Sequence, residues 1–181
     1  MGDTANLRDI MQKHWSKGCV DPKYRVSEKK KTFSIKLQPP GQAVLLRPEH
    51  CPEWPQEGRK CDGILVCHNG KEQRMTLVLV ELKGGHMEKA LQQLETACGY
   101  LCASGRSSLN KHNEWTNTLG EYGLHHAKRI YGLIVGKKSL AQHQQKLSAL
   151  RKKYGLKIRA TTGDFTGKTV HELENFLGLI E

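Results

Sequence analysis

Two carboxylates and an amine occur where two apolar runs of the chain begin and end. Asp62 opens the first run, and Glu81 and Lys83 close the second. Because side chains alternate between the two faces of a strand, Glu81 and Lys83 share one face. The second run is largely apolar on both faces before these residues, which is typical of a strand inside a sheet covered by helices. Charges at the end of such a strand lose water and need a partner, a metal or a ligand.

Two explanations account for this arrangement. The first is a structural ion pair at the end of a strand, because buried charges are usually paired. The second is a family resemblance. An Asp at the start of one strand, Glu-x-Lys at the end of the next and a glutamine on the following helix resemble the PD-(D/E)xK, or restriction-endonuclease-like, nuclease superfamily. The matching residues are Asp62, Glu81-Leu82-Lys83 and Gln92-Gln93, with Cys61 in place of the leading proline of the motif.

The resemblance implies metal-dependent hydrolysis of phosphodiester bonds. Asp62 and Glu81 would bind Mg²⁺, or Mn²⁺, with the backbone carbonyl of Leu82 as a further ligand. Such an ion lowers the pKa of a bound water and neutralises charge on the scissile phosphate. Lys83 would orient that water, deprotonate it, or offset the charge of the phosphate, and the sequence does not choose among these roles.

A helix is predicted from His86 to Ala103, after a sharp turn at Gly84-Gly85. In related nucleases a glutamine at about this place contacts the metal-bound water or the substrate. The resemblance therefore assigns a catalytic role to Gln93 first and to Gln92 second. The alternative for either residue is an ordinary surface glutamine.

The remaining elements are predicted from hydrophobic periodicity, capping residues and turn residues. They are a helix over residues 4–17, a hairpin of strands at 32–37 and 42–46, strands at 129–135 and 156–161, a helix over 139–154 with Ser139 and Gln142 as capping box and Gly155 as terminator, and a last helix capped by Thr169 and Glu172.

This order predicts an α/β fold with a mixed central sheet flanked by helices. It agrees with the αββαβ core of restriction-endonuclease-like proteins, preceded here by an N-terminal helix and hairpin. With 181 residues the chain is predicted to form a single nuclease-like domain, in which residues 1–46 are the N-terminal elaboration and residues 47–181 the core.

The chain is strongly basic, with 29 Lys and Arg against 18 Asp and Glu and a net charge of +11. Such a charge indicates a polyanionic partner, with nucleic acid first and a membrane surface second, and DNA is expected before RNA. A lysine run could equally be a solvated surface, and an aromatic residue in a long polar loop could pin that loop to the core. The predicted nucleic-acid contacts are Lys29, Lys30, Lys31, Lys60, Trp115, Lys137 and Lys138.

The six cysteines lack a CxxC pair, which favours reduced, mostly buried thiols over a zinc module. A structural zinc at Cys51, Cys61, Cys67 and His68 is the alternative. The chain has no apolar run of about 18 residues and no signal peptide, so we expect an intracellular protein, cytoplasmic or nucleoid-associated.

Two function classes remain from the sequence. The first is a metal-dependent nuclease, acting on DNA in restriction, repair or defence, and a homodimer or a partner protein would suit the cutting of two strands. The second is a non-catalytic protein of the same fold that binds nucleic acid or a partner protein. The presence of Asp62, Glu81 and Lys83 together favours the first class. An enzyme for a small phosphorylated substrate lacks support, because the chain has no glycine-rich phosphate loop.

Overall fold

A mixed sheet of six strands forms the centre of the protein in a computed structural model that describes residues 7–16, 18–21, 25–28, 31–35, 37, 43–52, 54, 60–69, 74–82, 86–102, 129–136, 139–162, 165–167 and 169–178. The strands are β1 (Val20–Asp21), β2 (Arg25–Glu28), β3 (Lys31–Ser34), β4 (Ala43–Leu46), β5 (Gly63–Asn69), β6 (Arg74–Leu82), β7 (Arg129–Val135) and β8 (Lys157–Thr161). The order in the large sheet is β1-β4-β5-β6-β7-β8, and β2 pairs with β3 in a separate two-stranded sheet. In the large sheet the pairs β1–β4, β4–β5 and β5–β6 are antiparallel, whereas the pairs β6–β7 and β7–β8 are parallel.

Helices connect the parallel strands, because parallel neighbours need a crossover rather than a tight turn. The helices are α1 (Leu7–His14), α2 (Met87–Cys102), α3 (Gln144–Tyr154) and α4 (Val170–Phe176), with short 3-10 helices at Pro48–His50 and Ala141–His143. In the chain, α2 lies between β6 and β7, and α3 lies between β7 and β8.

The two faces of the sheet carry separate hydrophobic cores, because strand side chains alternate. The α2 face, which includes Val66, Leu77 and Leu79, is covered by α1, α2 and α3. The α4 face, which includes Leu65, Val78 and Val80, is covered by α4 and by the β2–β3 hairpin. Gly63 permits this second cover, since a Cβ there would lie 2.8 Å from the Val26 side chain of the hairpin.

The coarse architecture confirms the sequence prediction of an α/β fold with a mixed central sheet and helices. The predicted strand over 129–135 matches β7, and the predicted end of α3 is confirmed at Gly155, whose φ is 67°. The capping box of α4 is also confirmed: Thr169 accepts a hydrogen bond from the Glu172 N–H, and Glu172 accepts one from the Thr169 N–H.

Two local predictions are wrong. Strand β3 pairs with β2, not with the strand at 43–46, and β4 instead lies in the large sheet beside β5. The helix predicted from Ser139 begins as a 3-10 turn, and the Ser139 hydroxyl accepts a hydrogen bond from the Ala141 N–H at 3.1 Å rather than capping through Gln142. The α-helix proper starts at Gln144 without a side-chain cap.

The cysteine prediction is wrong for one pair. Cys19 and Cys51 form a disulfide, with their Cα atoms 4.7 Å apart, which joins the segment after α1 to the segment after the first 3-10 helix. Cys61 and Cys67 are buried free thiols, as predicted, and Cys98 is also buried. Their burial is typical of small apolar side chains inside a core.

Candidate active site

Glu81 lies at the carboxyl end of β6 and is completely buried, with an exposed fraction of 0%. Strand alternation puts its side chain on the α2 face, in line with Leu77 and Leu79. The side chain of the next residue, Leu82, belongs to the core of the α4 face. The predicted alternation along this strand is therefore confirmed.

Asp62 immediately precedes β5 and is half-buried. Its N–H donates to the Val80 carbonyl at 3.0 Å, which continues the pairing of β5 with β6. Its carboxylate accepts a hydrogen bond of 2.6 Å from the Leu82 N–H, the nitrogen that is bonded to the carbonyl carbon of Glu81. The two predicted acids therefore lie at the same end of two adjacent strands.

A third residue, Cys61, lies beside both acids, and the sequence did not predict it as part of the site. Burial raises the pKa of its thiol, and the charges of Glu81 and Asp62 raise that pKa further. The thiol donates to the Gly63 carbonyl at 3.5 Å and stays protonated. The only available sequence signal was its position directly before Asp62. We call Cys61, Asp62 and Glu81 the strand-end cluster.

A hydrogen bond of Gln93 joins α2 to the segment that leads into Asp62. Its side-chain amide donates to the Lys60 carbonyl at 2.6 Å, and the residue is half-buried. Gln92 is exposed, and its carbonyl accepts a hydrogen bond from Thr96. Gln93 thus positions the backbone beside the strand-end cluster, while its predicted contact with a metal-bound water or substrate stays a prediction.

A cleft of about 740 Å³ lies beside the N-terminus of α2, close in sequence to the end of β6. Sequence reasoning missed it, because it forms between segments about 50 residues apart in the chain. Most of its lining side chains can donate or accept hydrogen bonds. The cleft is lined by His86, Met87, Glu88, Lys89, Ser139, Ala141, Gln142 and His143.

The strand-end cluster offers two carboxylates to a cation. Within the described residues no group of three or more His, Cys, Asp or Glu side chains is placed to hold a metal ion. Mg²⁺ commonly binds through one or two carboxylates together with waters and substrate phosphates. Asp62 and Glu81 match that pattern, and the Leu82 carbonyl stays a predicted further ligand.

The alternative zinc site does not form. Cys51 is bonded to Cys19. Cys67 belongs to the core of the α4 face, whereas Cys61 belongs to that of the α2 face. His68 lies at the far end of β5 from Asp62, and burial lowers the pKa of its imidazole. These four side chains therefore cannot share one ion.

Several predicted site residues lie outside the described residues. They are Lys29, Lys30, Lys83, Trp115, Lys137 and Lys138. Lys31 pairs through its backbone with Glu28, at the end of the β2–β3 ladder where the two strands are closest in the chain. Lys60 is half-buried and contributes its carbonyl to Gln93. The structure thus brings together Asp62, Glu81 and the Gln93 anchor, and leaves the predicted cationic contacts as predictions.

Comparison of the chain with models of protein families, with curated proteins and with solved structures finds no match. Among the described helices, none has the length and apolar character needed to cross a membrane.

Proposed function

We propose that this chain is a Mg²⁺-dependent nuclease that hydrolyses phosphodiester bonds of nucleic acid, with DNA as its first expected substrate. The observation that carries the proposal is the hydrogen bond from the Leu82 N–H to the Asp62 carboxylate. It brings the Asp62 carboxylate to the backbone nitrogen that follows Glu81, and hard oxygen donors of the kind that both residues carry suit Mg²⁺. A role in restriction, repair or defence belongs to the same proposal.

In this proposal Asp62 and Glu81 hold the ion, and their positions are fixed by the backbone of β5 and β6. When bound, Mg²⁺ would lower the pKa of water and offset the charge of the phosphate. Lys83 lies two residues after Glu81 in the chain. Its ammonium would orient the attacking water or offset the charge of the phosphate. Gln93 keeps the segment before Asp62 in place through the Lys60 carbonyl.

A non-catalytic protein of similar architecture is the second candidate, and the complete burial of Glu81 favours it. A carboxylate without solvent access can serve the fold by satisfying nearby donors rather than by holding an ion. The same protein would then bind nucleic acid or a partner protein without cutting.

Cleavage of end-labelled single-stranded and double-stranded DNA and RNA tests the proposal, with Mg²⁺, Mn²⁺ or EDTA present. We expect metal-dependent cutting that falls by roughly 10²- to 10³-fold or more in Asp62→Asn, Glu81→Gln and Lys83→Ala. Glu174→Gln is the matched control, because Glu174 is also completely buried but lies on the α4 face. An equal loss of cleavage in Glu81→Gln and Glu174→Gln would mean that the loss reflects folding. If the wild-type protein cuts none of the substrates, the non-catalytic candidate is favoured.

A further inference from the structure

The positive charge of the chain is concentrated in one stretch. Residues 123–163 contain ten Lys and Arg and no Asp or Glu, whereas the whole chain has a net charge of +11. This stretch contains β7, α3 and β8. Within this stretch no acid offsets the charge of the cationic side chains, so only acids of other segments can do so.

Helix α3 presents the larger part of its surface to solvent. Of its eleven residues, Leu150 is fully buried, and Leu147 and Tyr154 are packed against the core of the α2 face. The solvent-facing residues of the helix outside its boundary with α2 are either polar or cationic, apart from Ala149. We call this side the α3 outer face; it consists of Gln144, Gln145, Ser148, Ala149, Arg151 and Lys152.

An acid of α2 pairs with lysines of α3 at the boundary between the two helices. Glu95 of α2 forms ion pairs with Lys146 and, at 3.9 Å, with Lys153. The Lys153 ammonium also lies 4.8 Å from the centre of the Tyr154 ring. Arg151 and Lys152 form no ion pair with any described carboxylate, so their charges are available to an external anion.

We propose that the α3 outer face binds the phosphate backbone of a nucleic-acid duplex. Cationic, hydroxyl and amide side chains are the groups that contact phosphates and sugars in such complexes. A helix of 11 residues is about 16 Å long, enough to follow several phosphates of one strand. The 3-10 turn that leads into α3 lines the cleft beside α2, so a duplex lying along α3 would pass that cleft.

Binding of a duplex by the α3 outer face does not require that the chain cleaves it. Binding is therefore measured in EDTA, by fluorescence anisotropy of a labelled DNA duplex over a range of salt concentrations. The variant Arg151→Gln/Lys152→Gln removes two charges and keeps residues of good helix propensity. The control Lys13→Gln/Arg25→Gln removes two exposed cationic side chains. Lys13 lies on α1, which packs on β1 and β4, and Arg25 lies on β2, which covers the other face of the sheet, whereas α3 packs on α2 and β8.

We expect the variant in α3 to bind the duplex about tenfold more weakly at moderate salt, and the slope of log affinity against log salt to fall by about 2. The control should keep the wild-type slope. Equal slopes for both variants and the wild type would overturn the proposal.

Two further outcomes would also overturn it. A lower melting temperature of the α3 variant with unchanged DNA affinity would mean that Arg151 and Lys152 only offset the helix dipole at its C-terminal end. A loss of binding to vesicles of anionic lipid, with DNA binding retained, would assign the α3 outer face to a membrane surface instead.

Discussion

Glu81 and Glu174 are both completely buried carboxylates, yet they lie on opposite faces of the sheet with different neighbours. In the strand-end cluster, Glu81 shares its surroundings with a second acid, Asp62, and with the Cys61 thiol. On the α4 face, Glu174 accepts a hydrogen bond of 2.8 Å from the Thr76 hydroxyl and is the charge that acts on Cys67. We call Cys67, Thr76 and Glu174 the Glu174 cluster.

The difference between the clusters is one of charge. Two acids close together raise the cost of ionising both, and this cost is relieved when one of them stays protonated or when a cation binds. A single acid that receives a hydroxyl hydrogen bond can be satisfied by the protein itself. Under the proposed function the strand-end cluster would bind the ion and the Glu174 cluster would serve the fold, although both contain one buried glutamate and one buried cysteine.

The largest expected effect that separates the clusters is stabilisation by Mg²⁺. At a concentration about 100 times the dissociation constant, an ion that binds only the folded protein adds about 2.7 kcal/mol to the free energy of unfolding. We expect the melting temperature of the wild type and of Glu174→Gln to rise by roughly 5–10 °C with Mg²⁺, and that of Glu81→Gln to stay unchanged.

Thermal unfolding followed by circular dichroism, with and without Mg²⁺, gives this measurement. Na⁺ at matched ionic strength controls for general screening of charge. A similar rise in Glu81→Gln and in the wild type would place the ion elsewhere and remove the strand-end cluster from the proposed mechanism.

A smaller effect is expected from the Glu174 cluster. Thr76→Val removes the hydroxyl that donates to Glu174 and leaves a side chain of similar shape, so we expect the free energy of unfolding to fall by about 1–3 kcal/mol. Urea unfolding measures this change. The double variant Thr76→Val/Glu174→Leu removes both partners and should recover part of the loss, because no unsatisfied carboxylate then remains buried.

A change below about 0.5 kcal/mol in Thr76→Val would contradict this account, since exposed and redundant hydrogen bonds give effects of that size. It would mean that Thr76 is not an important partner of Glu174. The two clusters would then differ less than their hydrogen bonds suggest.

The sequence predicts the parts of the fold that depend on the periodicity of a single element. The alternation along β6 correctly divides its side chains between the α2 and α4 faces, including Glu81. The pairing of β3 with β2 was not predictable in this way, because the partner strand 25–28 carries mostly polar residues and no clear alternation. Strand β1 has two residues, too few for any period.

Contacts between distant segments explain the other differences. The spacing of Val170, Leu173 and Leu177 already places Glu174 on the buried side of α4, so its burial had a sequence signal. Its partner Thr76 lies 98 residues away, and no local pattern connects the two. The Cys19–Cys51 disulfide joins positions 32 residues apart, and a cysteine count does not determine such a pairing.

The smallest expected effect is a pH dependence that the two clusters share. Burial raises the pKa of the Cys61 and Cys67 thiols, with further increases from Glu81 and Asp62 for the first and from Glu174 for the second. An unfolded thiol ionises near pH 8.5, so the stability contributed by each protonated buried thiol is complete below that pH and is lost as the pH rises above it. We expect a loss of about 1.4 kcal/mol per thiol at about pH 9.5.

Urea unfolding of the wild type, Cys61→Ala and Cys67→Ala at several pH values separates the contributions of the two thiols. Each variant should lose less stability than the wild type between about pH 8.5 and 9.5, and by the same amount, because both folded-state pKa values lie far above this range. The charges of Asp62, Glu81 and Glu174 should therefore not change the loss of stability over this pH range. A variant whose pH profile runs parallel to that of the wild type would show that its thiol ionises as readily in the folded protein as in the unfolded chain, which contradicts its burial.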